Sequence, residues 1–120
     1  MLEKEVHLAV HLTINNGALE VFEALAREMT AGSEKEPGTL GYEWYFSADR
    51  KRCRLLERYV DKAAVEAHFT GPVVGEFVPR MASFCTIELF EIYGDPGPLV
   101  AAMAGSFGAE VFTYSGGLDR

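Results

Sequence analysis

From Val6 to Ile14 the chain reads Val-His-Leu-Ala-Val-His-Leu-Thr-Ile, with an apolar residue at every second position. A period of two predicts a strand with one buried face, because successive side chains point to opposite sides. Asn15-Asn16-Gly17 ends the run, and an Asn side chain there is suited to capping the free N–H groups of a following helix. Leu19, Phe22, Leu25, Ala26 and Met29 then recur at steps of three and four, the apolar stripe of a helix that stops around Gly32. Pro37-Gly38 marks a loop. A second strand, rich in aromatics, runs from Leu40 to Phe46, and the polar segment Ala48–Lys51 makes a hairpin into a third strand, Cys53 to Val60. Asp61 is a good N-cap for a helix over Lys62 to Phe69. Gly71-Pro72 interrupts it, and Val74, Phe77, Val78 and Met81 carry an apolar stripe through a further helical segment that Pro79 kinks. Thr86 to Tyr93 is a fourth strand.

The predicted order is β-α-β-β-α-β, the split-βαβ, ferredoxin-like arrangement of an α+β domain, with both helices on one face of a four-stranded antiparallel sheet. Gly94-Asp95-Pro96-Gly97-Pro98 bounds this unit, so residues 1–94 form the domain and 95–120 a C-terminal extension of it. The extension carries a short helix over Leu99 to Ala104 and a fifth strand over Glu110 to Tyr114. Leu40, Tyr42, Trp44 and Phe46 line one side of the second strand while Tyr45 places an aromatic on the other, and the fourth strand reads as bulky on both sides. A sheet face open to water alternates more cleanly, so the expectation is a homodimer formed over that face; a tail folded across it is the alternative.

Composition narrows the function classes. A chain of 120 residues, 48% apolar and 24% charged, is one globular domain with a core of its own. The formal charge of -7 argues against a nucleic-acid partner, and Arg50-Lys51-Arg52 with Arg54 reads as a solvated turn. Two cysteines, Cys53 and Cys85, lie in apolar strands and are expected to be reduced and buried. Met1-Leu2-Glu3-Lys4-Glu5 carries no export signal, and no apolar run approaches the ~18 residues of a membrane span, so a cytoplasmic protein without a membrane partner is expected.

Few residues are suited to chemistry. His7 and His11 are four apart, but on a strand that spacing separates them by ~13 Å, too far for one metal. Glu57 and Tyr59 share a side of the third strand, and Tyr59 precedes the helix that carries His68. A carboxylate beside an imidazole fixes its tautomer and strengthens it as a base, and a tyrosine beside both could hold a phenolic or quinone-like ring. The same trio also fits a structural Glu–His bond that locks helix to sheet. Trp44, the single tryptophan, reads either as packing or as the wall of an aromatic pocket. No nucleotide-binding glycine motif, CxxC pair, HExxH or GxSxG is present, and no haem, flavin, nicotinamide or metal is expected.

Leu56-Glu57-Arg58-Tyr59, then Asp61, Ala64 and Glu66-Ala67-His68-Phe69, resemble the antibiotic-biosynthesis-monooxygenase family of the dimeric α+β barrels. Gly38 with Gly41-Tyr42-Glu43-Trp44-Tyr45, and Asn16-Gly17, stand where that family has its second-strand start and its first turn. The resemblance spans roughly residues 6 to 93. It implies a dimer whose sheets pack face to face, a pocket between sheet and helices, and oxygenation of a small aromatic or quinol without metal or cofactor. It makes His68 the acid–base candidate, with Glu57 orienting it and Tyr59 with Trp44 shaping the pocket; His68, Glu57 and Tyr59 are thus the catalytic candidates, and Trp44, His11 and Tyr45 are taken as the candidate substrate contacts. Two positions depart from the pattern: Val73 stands where many relatives have a second His, and Tyr59 where many have Trp. The asparagines Asn15 and Asn16 come at the end of the first strand, which argues against haem degradation. A non-catalytic dimeric module that binds a small apolar ligand, or serves a stress role, is the competing expectation.

Overall fold

A computed structural model of the chain describes residues 4–120; Met1, Leu2 and Glu3, part of the segment read as lacking an export signal, lie outside the described residues. The first strand, β1 (Val6–Ile14), is central: β3 (Arg52–Tyr59) pairs with one edge and β4 (Cys85–Tyr93) with the other, both antiparallel. β2 (Thr39–Phe46) pairs outside β3, and β5 (Glu110–Phe112) lies parallel to β4, giving the order β2-β3-β1-β4-β5. The ferredoxin-like α+β fold is therefore as expected, with the short fifth strand making the sheet mixed. The helices are α1 (Leu19–Glu34), α2 (Lys62–Thr70), α3 (Val78–Met81) and, in the C-terminal extension, α4 (Gly97–Gly105).

Alternation along β1 and β3 divides the sheet. Val6, Leu8, Val10, Leu12 and Ile14 are buried, as are Cys53, Leu55, Glu57 and Tyr59 across the register from them. Phe22, Leu25, Ala26 and Met29 of α1 pack on one half of this face, and Val65 and Phe69 of α2 with Val100 and Ala104 of α4 on the other. Burying each large apolar side chain contributes about 1.5–3 kcal/mol, so this face carries the folding energy. None of the described helices is long and apolar enough to cross a membrane.

Several local expectations are corrected. Asn15 does not cap α1: its side-chain amide donates to the Ser83 carbonyl, and the N-cap is Ala18 with no side-chain bond. A bulge between Thr39 and Gly41 turns Leu40 out of the row of Tyr42, Trp44 and Phe46, leaving it 44% exposed. A second irregularity, opposite His11 and Leu12, moves Ile87 to the helix side with Phe90 and leaves Leu89 on the open face. The open face is thus less uniformly apolar than the β4 sequence implied. Asp61 caps α2 as predicted, accepting from the Ala64 N–H at 2.9 Å. Beyond Pro72 the chain forms a π-helical turn, Val73–Phe77, before α3, whose early turn contains Pro79. A proline near a helix start forfeits an N–H that has no partner there, so it is accommodated without a kink inside one continuous helix.

Candidate active site

α2 carries His68 toward the sheet because Val65, His68 and Phe69 lie on its buried side. The imidazole is 2% exposed and meets side chains from three directions. Its Nδ1 is 2.8 Å from Oε1 of Glu36, in the loop between α1 and β2. Its Nε2 is 3.7 Å from Oε1 of Glu57 on β3, beyond hydrogen-bond range. The rings of Tyr42 on β2 and Tyr59 on β3 stand 5.6 and 5.3 Å from it, centroid to centroid. Tyr59 donates its hydroxyl to Glu57 Oε1 at 2.5 Å, and Thr39 donates to the same Glu36 oxygen that meets His68, at 2.8 Å.

The electrostatics follow from burial. Desolvation pushes the Glu57 carboxyl upward, toward its neutral form; His68 and the Tyr59 hydroxyl oppose the shift. Tyr59 and Tyr42 are held as neutral phenols, first by burial and then by the Glu57 and Glu36 charges around them. The cluster therefore combines an imidazole with two carboxyls in different settings, one 18% exposed on Glu36 and one 6% exposed on Glu57.

This cluster opens into a cavity of about 380 Å³ between the sheet and α1, α2, the π-helical turn, α3 and the end of α4. Its walls are mostly apolar, and the side chains lining it include no Lys or Arg among the described residues. Trp44 forms part of the wall and is held in place: its indole N–H donates to Thr30 Oγ1 at 2.9 Å, with the Tyr42 ring at 5.7 Å and the Phe22 ring at 5.9 Å. A pocket of this size, lined by aromatics and aliphatics with a few polar groups at one place, is the usual form of a small-molecule site. Among the described residues, no group of three or more His, Cys, Asp or Glu side chains is arranged to hold a metal ion.

Of the residues singled out from the sequence, Trp44, Glu57 and His68 line the cavity, and Tyr59 lies behind Glu57, fully buried. His11 and Tyr45 are corrected: both lie on the opposite face of the sheet. His11 alternates with Val10 and Leu12, which line the cavity, so its ring must point away from it. There, burial first and then Arg54 lower its pKa, with Glu91 opposing. Tyr45 is 50% exposed and reaches Glu43. Glu36 and Tyr42 were missed as site residues. Glu36 sits in the loop segment Lys35-Glu36-Pro37-Gly38, where no periodicity signals a contact. Tyr42 was visible only as one more aromatic of β2.

Residues 6–80 match the family model described as antibiotic biosynthesis monooxygenase. No match was found among curated protein sequences. Among solved structures, the chain is similar to MupZ from Pseudomonas fluorescens at 19% identity, TM-score 0.83, covering 98% of this chain and 95% of that one. It is similar to SnoaB, a cofactor-independent oxygenase from Streptomyces nogalater, at 18% identity and TM-score 0.68, covering 80% and 97%. It is also similar to Rv0793 from Mycobacterium tuberculosis at 21% identity and TM-score 0.68, covering 78% and 97%. At these identities the structures speak for the fold.

Proposed function

The chain belongs to the antibiotic biosynthesis monooxygenase family, and from that membership we propose that it is a cofactor-independent monooxygenase of a small, uncharged aromatic or quinol-type substrate. The observation that most supports the reading is a buried histidine at the polar end of an apolar cavity, bonded to a carboxylate through one nitrogen only. A carboxylate can only accept, so Nδ1 carries a proton, and in the neutral ring Nε2 then presents its lone pair. Nε2 takes the proton of an acidified substrate hydroxyl, and the apolar walls exclude water from the anion. That anion supplies the electrons to dioxygen. At a carbon bearing two hydrogens, one oxygen atom becomes a carbonyl and the other leaves as water with both hydrogens. Glu57, with Oε1 3.7 Å from Nε2, lies at the same end of the cavity. A cavity lined without Lys or Arg has no counter-ion for a carboxylate or phosphate, which favours a neutral ligand.

The test is oxygen uptake with phenolic polycycles that carry a CH2 conjugated to the hydroxyl, wild type against His68→Ala. Loss of a general base is expected to lower the rate by roughly 10²–10⁴. Equal uptake in the variant removes His68 from the reaction. Ligand-dependent thermal stabilisation without uptake in the wild type would favour the non-catalytic binding module instead.

The open face supports a second part of the reading, a homodimer. Tyr45, Leu56, Leu89 and Phe112 are exposed hydrophobics on it, with Arg52, Arg54 and Arg58 of β3, Glu43 of β2 and Glu91 of β4 on the same face. Basic and acidic rows of this kind can pair across a two-fold axis. Sedimentation of the wild type as a dimer and of Leu56→Glu/Leu89→Glu as a monomer is expected; a monomeric wild type would refute this part.

A further inference from the structure

The resemblance points to Glu57 as the residue that orients His68, but the hydrogen bond to the ring comes from elsewhere. Nδ1 meets Glu36 Oε1 at 2.8 Å, while Glu57 stands 3.7 Å from Nε2 and is itself occupied by the Tyr59 hydroxyl. Glu36 is in turn fixed by Thr39, whose hydroxyl donates to Oε1, and by its own N–H, which donates to the Ser33 carbonyl. The other rings against it are Tyr42 of β2, Tyr59 of β3 and its own neighbour Phe69 of α2, at 5.6, 5.3 and 6.0 Å between centroids.

We propose that Glu36 is the positioning residue of this site: it holds His68 in the tautomer with Nδ1 protonated and Nε2 bare toward Glu57 and the cavity. The proposal rests on the monooxygenase reading for its kinetic consequence, but not for its structural one. When Nε2 accepts a proton, the ring becomes a cation whose Nδ1–H already points at a carboxylate, so the charge forms beside a partner that needs no rearrangement. Without Glu36 the ring is free to take the other tautomer and to rotate, and its base is then misdirected.

The decisive measurement is the ¹⁵N spectrum of His68 in wild type, Glu36→Gln and Glu36→Ala. Only three histidines are present, and His7→Gln and His11→Gln assign the signals. Expected in the wild type is a protonated Nδ1 and a bare Nε2. Glu36→Gln keeps that pattern through its amide oxygen, whereas Glu36→Ala moves to a mixture dominated by Nε2–H. Turnover by Glu36→Ala is expected to fall by roughly 10²–10⁴ in kcat with KM little changed, and Glu36→Gln to recover part of it. A wild-type ring protonated on Nε2, or a tautomer that Glu36→Ala leaves unchanged, would overturn the proposal. If Glu36→Ala does not fold, the wild-type spectrum alone decides. An Nδ1–H ring in a protein that takes up no oxygen contradicts the oxygenase reading and leaves the Glu36–His68 coupling standing.

Discussion

His68 and Glu36 are 32 residues apart in the chain, yet Nδ1 of one lies 2.8 Å from Oε1 of the other. The contact joins α2 to the loop before β2, and the loop must run very close to the helix for it to form. Gly38 makes that approach: a Cβ at this position would fall on Cβ of Ala64, one turn before His68. The Gly38 carbonyl also accepts from the Val60 N–H at 2.9 Å, which pins the loop to the end of β3.

Gly38→Ala is therefore expected to part loop from helix. Overpacking of this kind costs about 1–3 kcal/mol, or a melting temperature lower by about 4 °C per kcal/mol for a chain of this size. Calorimetry reads the stability. The ¹⁵N signal of His68 reads the separation, and an unchanged melting temperature would show that the loop has room the geometry denies it.

Glu57→Gln should change the pH dependence of stability. In the unfolded chain the carboxyl ionises near its ordinary value of 4.5; in the fold burial raises that value. As pH rises through 4.5 the unfolded state loses this proton first, so the fold loses stability until the buried carboxyl ionises too, and beyond that the loss is constant. Each unit of separation amounts to about 1.4 kcal/mol. The glutamine variant lacks this loss, so above the window it should gain in stability relative to the wild type. Thermal melts from pH 4 to 9 check it; parallel curves for the two proteins would contradict the burial argument.

Trp44 is the single tryptophan and lines the cavity, so an aromatic ligand should quench its emission. Thr30→Val removes the acceptor of the indole N–H, a loss of about 1 kcal/mol. It should loosen the ring and raise Kd by up to roughly tenfold. Fluorescence titration of both proteins reads the difference, and an emission that ignores every bound aromatic would remove Trp44 from the site.

Cys53 and Cys85 should be inert while the protein is folded. Burial raises both thiols to about 11, and Cys85 donates its S–H to the Met81 carbonyl. At pH 8 about one thiol in a thousand is then a thiolate, and the thiolate is the reactive form. Iodoacetamide should modify neither until the protein unfolds; rapid labelling of the native protein would contradict this.

The fold was legible because its strongest signals are local. β1 and β3 alternate cleanly, α1 carries an unbroken apolar stripe, and Asp61 announces α2. What escaped the sequence depends on register. One irregularity in each of the β2 and β4 pairings displaces Leu40 and reassigns Ile87, and neither leaves a trace in residue type. The site was half legible. Glu57, Tyr59 and His68 stand in one short stretch, so a single strand–helix junction brings them together. Glu36 comes from a loop with no pattern, and His11 and Tyr45 were attached to the site although β-alternation places them on the far face. For His11, the period of two that identified the strand already implied that position.

The residues that would handle protons and those that enclose the rest of the ligand come from different parts of the chain. Glu36, Glu57 and His68 fall within the segment matched to the family, residues 6–80. Part of the cavity lining, including Ile87, Phe90 and Phe107, comes after it. Ile87 and Phe107 are 37% and 43% exposed, so substitutions there cost little stability. The lining that Ile87 and Phe107 supply can therefore be altered at little cost in stability and independently of Glu36, Glu57 and His68.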